Sequence, residues 1–284
     1  MKNLLFLFVL IIFISSCRRI RIEQHEDELN SRQLSRRVKL EVIKNPVKAD
    51  KSILNLLILN DGQDLKKLRV VEIVDSLDKK RSLLPLVIVA VHAGDRMQEY
   101  GVSGQPDYLG RGSKAGYFDS FIIDELLPYA EKLYGVRKFN SVAIAGCSLG
   151  GLSAFDIAWN HPDKINKVGV FSGSFWWRDK AVEDSSYSDE RNRIMYAKVK
   201  ASVKRPALQY WFYAGAAEEI SDRDKDGIID VIDDTRDIIA VIRQKNIAAE
   251  GGIVYKEAKE GKHDYPWWST AFPAFLVWAF GKEN

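Results

Sequence analysis

The sequence is poor in several residue types, and each scarcity excludes something. Only 2 of its 284 residues are cysteine, so at most one disulfide can form and a small domain stapled by several bridges is ruled out. No apolar run reaches the roughly 20 residues that a bilayer-spanning helix needs. Neither sign of charge dominates: 42 Lys and Arg oppose 39 Asp and Glu, for a formal net charge of +3. Acids and bases interleave, and no long basic stripe points to nucleic acid. There is no internal repeat, and no low-complexity linker after residue 40. What remains is a chain that is 46% hydrophobic, enough to bury one large core.

The N-terminus stands apart. Lys2 precedes an unbroken apolar run, Leu4 to Ile14, of the length of a secretory h-region. It ends in Ile14-Ser15-Ser16-Cys17, which resembles a bacterial lipobox; the competing reading is an ordinary signal peptide with an incidental cysteine. Residues 1–16 are therefore expected to be a signal peptide, and Cys17 a lipidated new terminus. More than one acyl chain is needed for stable anchoring. A multiply acylated Cys17 would hold the protein at a bacterial envelope membrane, periplasmic or outer-surface, with Arg18, Arg19 and Arg21 near the head groups. Residues 17–37 read as a polar tether, or from Glu23 as an early helix. Residues 38–284 read as one domain.

Within that domain, short continuous apolar runs alternate with helical patterns. Ile53 to Leu59, Leu86 to Val91 and Ser141 to Ala145 suit strands buried on both faces. Val38 to Ile43, Lys167 to Phe171, Gln209 to Ala214 and Gly252 to Glu257 add four more strands. Helices are expected at 118–134, where Pro128 should kink or divide the element, at 149–160, at 235–245, and from Trp267 to the end. This alternation predicts an α/β fold with a mostly parallel sheet covered on both faces. In such sheets, chemistry collects at the carboxyl ends of the strands.

One such end reads Gly146-Cys147-Ser148-Leu149-Gly150, with an apolar strand before it and a helix after it. The pattern G-x-S-x-G in that context is a nucleophile elbow: a strained strand-to-helix turn that lifts the serine hydroxyl above the sheet. The bland alternative is a glycine-rich helix start packed closely on the sheet. A serine nucleophile needs a base, and there are four histidines. His25 lies in the tether, His161 suits a helix C-terminus, and His92 ends a strand near the site rim. His263, in "EGKHDYPWW", alone follows the chain order serine, acid, histidine; its competing role is a loop histidine stacked on Trp267 or Trp268. The orienting acid should follow the 209–214 strand. Glu218 is preferred, with Glu219 and Asp222 in reserve. Oxyanion donors are expected from the N–H of Leu149 and from Gln63 or Gly62 in the turn "NDGQD".

Two further features are legible. Asp222, Asp224, Asp226, Asp230 and Asp233 fall at positions 1, 3, 5, 9 and 12 of a calcium-loop pattern, with Gly227 at 6 and the Ile228 carbonyl at 7. A structural calcium there would steady the loop carrying Glu218; the alternative is a solvated acidic loop. Trp176 and Trp177, Trp267 and Trp268, with Tyr100 and Tyr108, could grip an aromatic or sugar-bearing substrate, or could simply pack long loops.

Together, "LNDGQDL", "VAVHAGDRMQEYG", "DELLPYAEKLYG", "AGCSLGGLSAF", "FSGSFWW" and "GKHDYPWW" resemble the putative esterase family, which includes enterochelin esterases, S-formylglutathione hydrolase, feruloyl esterases and the mycolyltransferases. The likeness spans residues 38–282. It implies an α/β-hydrolase fold, a Ser148–His263–acid triad with the acid three residues after Gly215, at Glu218, and no cofactor for catalysis. Many relatives carry Asp at that position, and many lack the acidic loop. The implied activity is hydrolysis of a carboxylic ester, from a siderophore or a carbohydrate-linked acetyl or feruloyl group. An acyltransferase and a non-catalytic binding lipoprotein on the same scaffold are the alternatives.

Overall fold

The computed structural model describes residues 22–45, 51–203, 207–248 and 251–282. Cys17 and the expected signal peptide lie outside them. Eight strands form one sheet: β1 (Glu23–Ser31), β2 (Arg36–Lys44), β3 (Asn55–Asn60), β4 (Leu86–Val91), β5 (Val142–Cys147), β6 (Lys167–Phe171), β7 (Gln209–Gly215) and β8 (Ile253–Ala258). Their spatial order is β1-β2-β4-β3-β5-β6-β7-β8. The pairs β1–β2 and β2–β4 are antiparallel, and every pair from β4 onward is parallel. This is the expected α/β-hydrolase arrangement.

Nine α-helices are described: α1 (Val70–Lys79), α2 (Arg96–Glu99), α3 (Ala115–Ser120), α4 (Leu127–Tyr134), α5 (Leu149–Asn160), α6 (Asp189–Asn192), α7 (Ile194–Ala201), α8 (Asp230–Gln244) and α9 (Tyr265–Phe280). The period-2 geometry of the inner strands explains their continuous apolar runs. On β3, Leu56 and Ile58 enter one core while Leu57 and Leu59 enter the other. β5 divides likewise: Val142 and Ile144 face one side, Ala143, Ala145 and Cys147 the other. The first core is closed by residues of α3, α4, α5, α7 and α8, the second by α1 and α9.

One expectation holds and two change. The 118–134 element is divided beside Pro128, as expected, while its backbone stays helical across the junction. A π-helical turn at Phe121–Leu126 sits between α3 and α4, and Pro128 occupies the first turn of α4. Proline has no N–H to donate, and a widened turn ahead of it absorbs the missing bond. The stretch read as a tether or early helix from Glu23 to Arg37 is instead the edge hairpin β1–β2, pairing Glu23 with Lys44 through Ser31 with Arg36. Its outer strand is rich in charge and exposed, which protects an open sheet edge from pairing with another chain. α8 begins at Asp230, five residues before the expected start, so Asp230 and Asp233 belong to a helix turn.

Candidate active site

Ser148 sits between β5 and α5 with φ 56° and ψ −125°. A side-chain-bearing residue there is strained, and the surrounding bonds hold it. Its N–H donates to Phe171 O at 2.8 Å, and its carbonyl accepts from Gly151 N at 2.9 Å and Ser174 N at 3.2 Å. The glycine before it is sterically required: a Cβ on Gly146 would lie 2.3 Å from the Gly150 carbonyl oxygen. This is the sharp turn that the G-x-S-x-G spacing predicts.

Two turns converge beside the serine. The first follows β3. Asn60 Nδ2 donates to Gly150 O at 2.8 Å, tying the turn to the start of α5. Asp61, buried and at φ 61°, receives Arg96 in a two-pronged pair at 2.8 and 3.0 Å. Its N–H donates to the Tyr100 hydroxyl, and Gln63 Nε2 donates to its Oδ1. Burial and the Asp61 charge push the Tyr100 phenol well above its usual range. Leu149 is the first residue of α5, and Gly62 and Gln63 begin the 3-10 turn after β3, so their backbone N–H groups lie at helix starts, where intrahelical acceptors are lacking. They can therefore serve a developing negative charge.

The second turn follows β7. The Glu218 side chain is 1% exposed, and its Oε2 accepts from His263 Nδ1 at 2.8 Å. Its Oε1 accepts from Gly215 N at 2.6 Å and from the Ser172 hydroxyl at 2.5 Å. The two loops touch backbone to backbone, since a Cβ on Gly215 would lie 2.3 Å from Gly261 O. Neither reserve acid reaches the imidazole. Glu219 accepts from Val231 N at the start of α8, and Asp222 folds back on its own loop. His263 also meets Trp268 edge to face at 5.0 Å. Of the other histidines, His161 pairs with Asp119 at 2.6 Å and His25 is exposed on β1. His92 lies 3.9 Å from Glu41, its imidazole pKa lowered by burial.

The aromatic expectations divide. Trp177 is fully buried, wedged against Gly101 and Gly112, so it packs a loop and presents no face to a substrate. Trp268 is also buried, and its indole N–H is bonded to Ser172. Both are corrections: a tryptophan after a strand end can turn inward to close the core as readily as outward. Trp176 and Trp267 stay half-buried. Arg111 lies 5.5 Å from the Trp176 ring centre and Arg178 lies 6.0 Å from it, an aromatic face flanked by cations. Tyr100 is buried, and Tyr108 is 40% exposed under Arg178.

In the acidic loop, Asp222, Asp224 and Asp226 can each bring one carboxylate oxygen within 4.8 Å of the others. Asp233 is close enough to Asp224 and Asp226 that, after burial and Asp237, their charges help raise its pKa to about 6. Ile228 donates its N–H to Asp226. Asp230 departs from the expected ligand set: it accepts from Arg223 N at 2.9 Å and from Arg223 Nη1 at 3.1 Å. The motif gave Arg223 no role. It is nonetheless the loop's anchor, reaching the fully buried Asp234 on α8. Sequence reasoning also missed the pairing of Asp61 with Arg96 and the bond from Ser172 to Glu218, contacts that no spacing motif encodes.

Residues 31–279 match the family described as putative esterase. The uncharacterized protein YbbA of Bacillus subtilis (strain 168) is 23% identical over 232 residues, covering 80% of this chain and 85% of that one. A ferulic acid esterase shares the fold with a TM-score of 0.67 at 19% identity, over 92% of this chain and 98% of its own. The enterochelin esterase of Shigella flexneri gives a TM-score of 0.69 at 20% identity; the match covers 91% of this chain and 58% of that longer one. The siderophore hydrolase EstB of Aspergillus nidulans gives 0.65 at 15% identity, over 89% and 93%.

Proposed function

The chain belongs to the putative esterase family, and from that premise we propose that it is a serine carboxylic-ester hydrolase working through an acyl-enzyme on Ser148. The observation that carries the reading is the 2.8 Å bond between His263 Nδ1 and Glu218 Oε2, with Glu218 tied to Ser172 at the end of β6, the strand that pairs with the one leading into the strained Ser148 elbow. With Nδ1 donating to the carboxylate, the imidazole keeps its lone pair on Nε2, the form a general base requires. Ser148 Oγ attacks the ester carbonyl as His263 Nε2 takes its proton. The oxyanion is held by the N–H of Leu149 and of Gln63 or Gly62, each donor contributing about 3–4 kcal/mol to the transition state. The imidazolium then protonates the leaving alcohol. Water, deprotonated by the same nitrogen, cleaves the acyl-enzyme to acid and free serine.

The substrate we propose is an ester of an aromatic acid, from a siderophore or a carbohydrate-linked feruloyl group. Support comes from Trp176, half-buried with Arg111 and Arg178 against its ring, and from the names of the similar structures. The 222–233 loop is proposed to hold a structural calcium through Asp222, Asp224, Asp226 and Asp233, taking no part in chemistry. Cys17 is proposed as a lipid anchor in the bacterial envelope.

The reading is tested with purified protein lacking residues 1–21, a panel of p-nitrophenyl, feruloyl and catecholate esters, and a fluorophosphonate probe. Hydrolysis and labelling by the wild type, both lost in Ser148→Ala with the fold intact by circular dichroism, are the expected result. Equal hydrolysis by that variant would end the assignment. Added sugar or lipid alcohols, with products identified by mass spectrometry, separate hydrolysis from acyl transfer.

A further inference from the structure

Ser172 follows β6 by one residue and is 1% exposed. Its backbone has φ 51°, in the left-handed region that favours glycine. A glycine stands immediately after it, yet the positive φ falls on the serine. Holding a side-chain-bearing residue there costs on the order of 1 kcal/mol or more, so what the side chain does there becomes the question.

The hydroxyl is one member of a closed circuit of four side chains. Trp268 Nε1 donates to Ser172 Oγ at 2.8 Å. Ser172 Oγ donates to Glu218 Oε1 at 2.5 Å. Glu218 Oε2 accepts from His263 Nδ1 at 2.8 Å, and the His263 ring returns to the Trp268 face at 5.0 Å.

Donor and acceptor chemistry gives this circuit one direction. An indole N–H can only donate, and an ionised carboxylate can only accept. The Ser172 hydroxyl has a single proton. Because Oγ receives the indole N–H, that proton goes to Glu218. Oε1 is then held by two donors, the Ser172 hydroxyl and Gly215 N–H. The carboxylate cannot rotate without breaking both, and Oε2 is left aimed at the imidazole. His263 must answer with Nδ1–H.

We propose that Ser172 is a positioning residue. It locks the Glu218 carboxylate, and through it the tautomer and ring orientation of His263, while Trp268 fixes the direction of the Ser172 hydroxyl. This inference rests on the reading of Ser148, His263 and Glu218 as the triad, which assigned Ser172 and Trp268 no such part. Any serine or threonine able to fill the site must tolerate φ near 50°, which disfavours the β-branched residue.

The test uses Ser172→Gly, Ser172→Cys and Trp268→Phe. Glycine removes the hydroxyl and relaxes the backbone at once, so lost activity cannot be ascribed to strain. Cysteine keeps the shape with a weaker donor. In Ser172→Gly, kcat for a p-nitrophenyl ester should fall about 10- to 100-fold with KM within about 2-fold, and Ser172→Cys should lie between it and wild type. Trp268→Phe should fall less than Ser172→Gly. The second readout needs no turnover: the downfield proton resonance of the His263 Nδ1–H bond, identified by its loss in His263→Ala, should broaden or vanish in Ser172→Gly. Unchanged kcat and an unchanged resonance in a folded Ser172→Gly protein would overturn the proposal. A wild type that hydrolyses nothing, but whose resonance still depends on Ser172, would remove the esterase reading and leave the positioning role standing.

Discussion

Asp64 and Tyr265, 201 positions apart in sequence, share a 2.8 Å hydrogen bond from the phenol to the carboxylate. Asp64 belongs to the turn after β3 that is proposed to offer oxyanion donors. Tyr265 opens α9, two residues after His263, and stacks edge-on with Trp268. The bond thus joins the turn proposed to receive negative charge to the helix that begins two residues after the proposed base. Burial and the neighbouring acids push the Tyr265 phenol far above its usual range, so it stays a donor at every working pH. Tyr265→Phe removes the donor and keeps the ring. It should lower kcat by about 3- to 10-fold with little change in KM, because a loosened turn weakens contacts made to the transition state. Steady-state kinetics on a p-nitrophenyl ester check this; a change confined to KM would contradict it.

Ser148→Gly and Ser148→Ala should both be inactive, yet they should differ in stability. Alanine keeps a Cβ at φ 56°, whereas glycine does not. The glycine variant should be the more stable of the two by roughly 1 kcal/mol. Calorimetry on the pair measures it, and equal Tm values would mean that the elbow holds no strain.

Arg36 on β2 meets Glu99 with two bonds of 2.7 Å and also donates to His92 O at 3.1 Å. Glu99 is 3% exposed. Arg36→Leu would leave that carboxylate buried without its partner, a loss of about 3–5 kcal/mol. The melting temperature should drop by several degrees, and Glu99→Gln in the same background should recover part of it. If the double variant is no better than the single one, the carboxylate is not what the arginine neutralises.

The acidic loop gives a prediction with a sign. Burial first, then Asp237, Asp224, Asp234 and Asp226, raise the Asp233 pKa from an ordinary 3.8 to about 6. A carboxyl raised on folding favours the folded state below its unfolded pKa, and that advantage is lost as pH rises towards 6. In chelator, Asp233→Asn should therefore raise Tm at pH 7.5 and leave it unchanged near pH 3.5. With calcium present the order at pH 7.5 should reverse, because the wild type keeps a ligand that the variant lacks. A Tm indifferent to both calcium and chelator would remove the proposed ion.

Cys17→Ser, expressed with the full N-terminus in a bacterium, should move the protein from the membrane fraction to the soluble one and abolish labelling by a fatty-acid analogue. Continued fractionation with membranes would point to another mode of attachment.

Much of the fold was legible because the inner strands are buried on both faces and so read as short continuous apolar runs, of which Leu86 to Val91 is the clearest. The strained turn at Ser148 and the pairing of His263 with an acid after β7 were legible because an elbow pattern and a strand-end position constrain them, though which acid was left open. Ser172, Asp61 and Arg96 were not legible. Their importance lies in contacts made across 35 to 96 positions, and a lone serine or arginine carries no periodic signal. β1 was misread because an edge strand with one exposed face and a charged sequence looks like a solvated tether. The inward turn of Trp177 was equally hidden, since it depends on Gly101 and Gly112 leaving room in a loop far away in sequence.

The edge hairpin has a mechanical consequence. β1 is held to the sheet through β2 alone, from Glu23↔Lys44 to Ser31↔Arg36. A chain tugged from its amino end would be loaded first at that outermost pair. It would peel β1 away rung by rung towards residues 32–35, spending the pull on a strand that carries no reactive group. The six parallel strands, β3 to β8, and the loops at their ends lie inward of that ribbon.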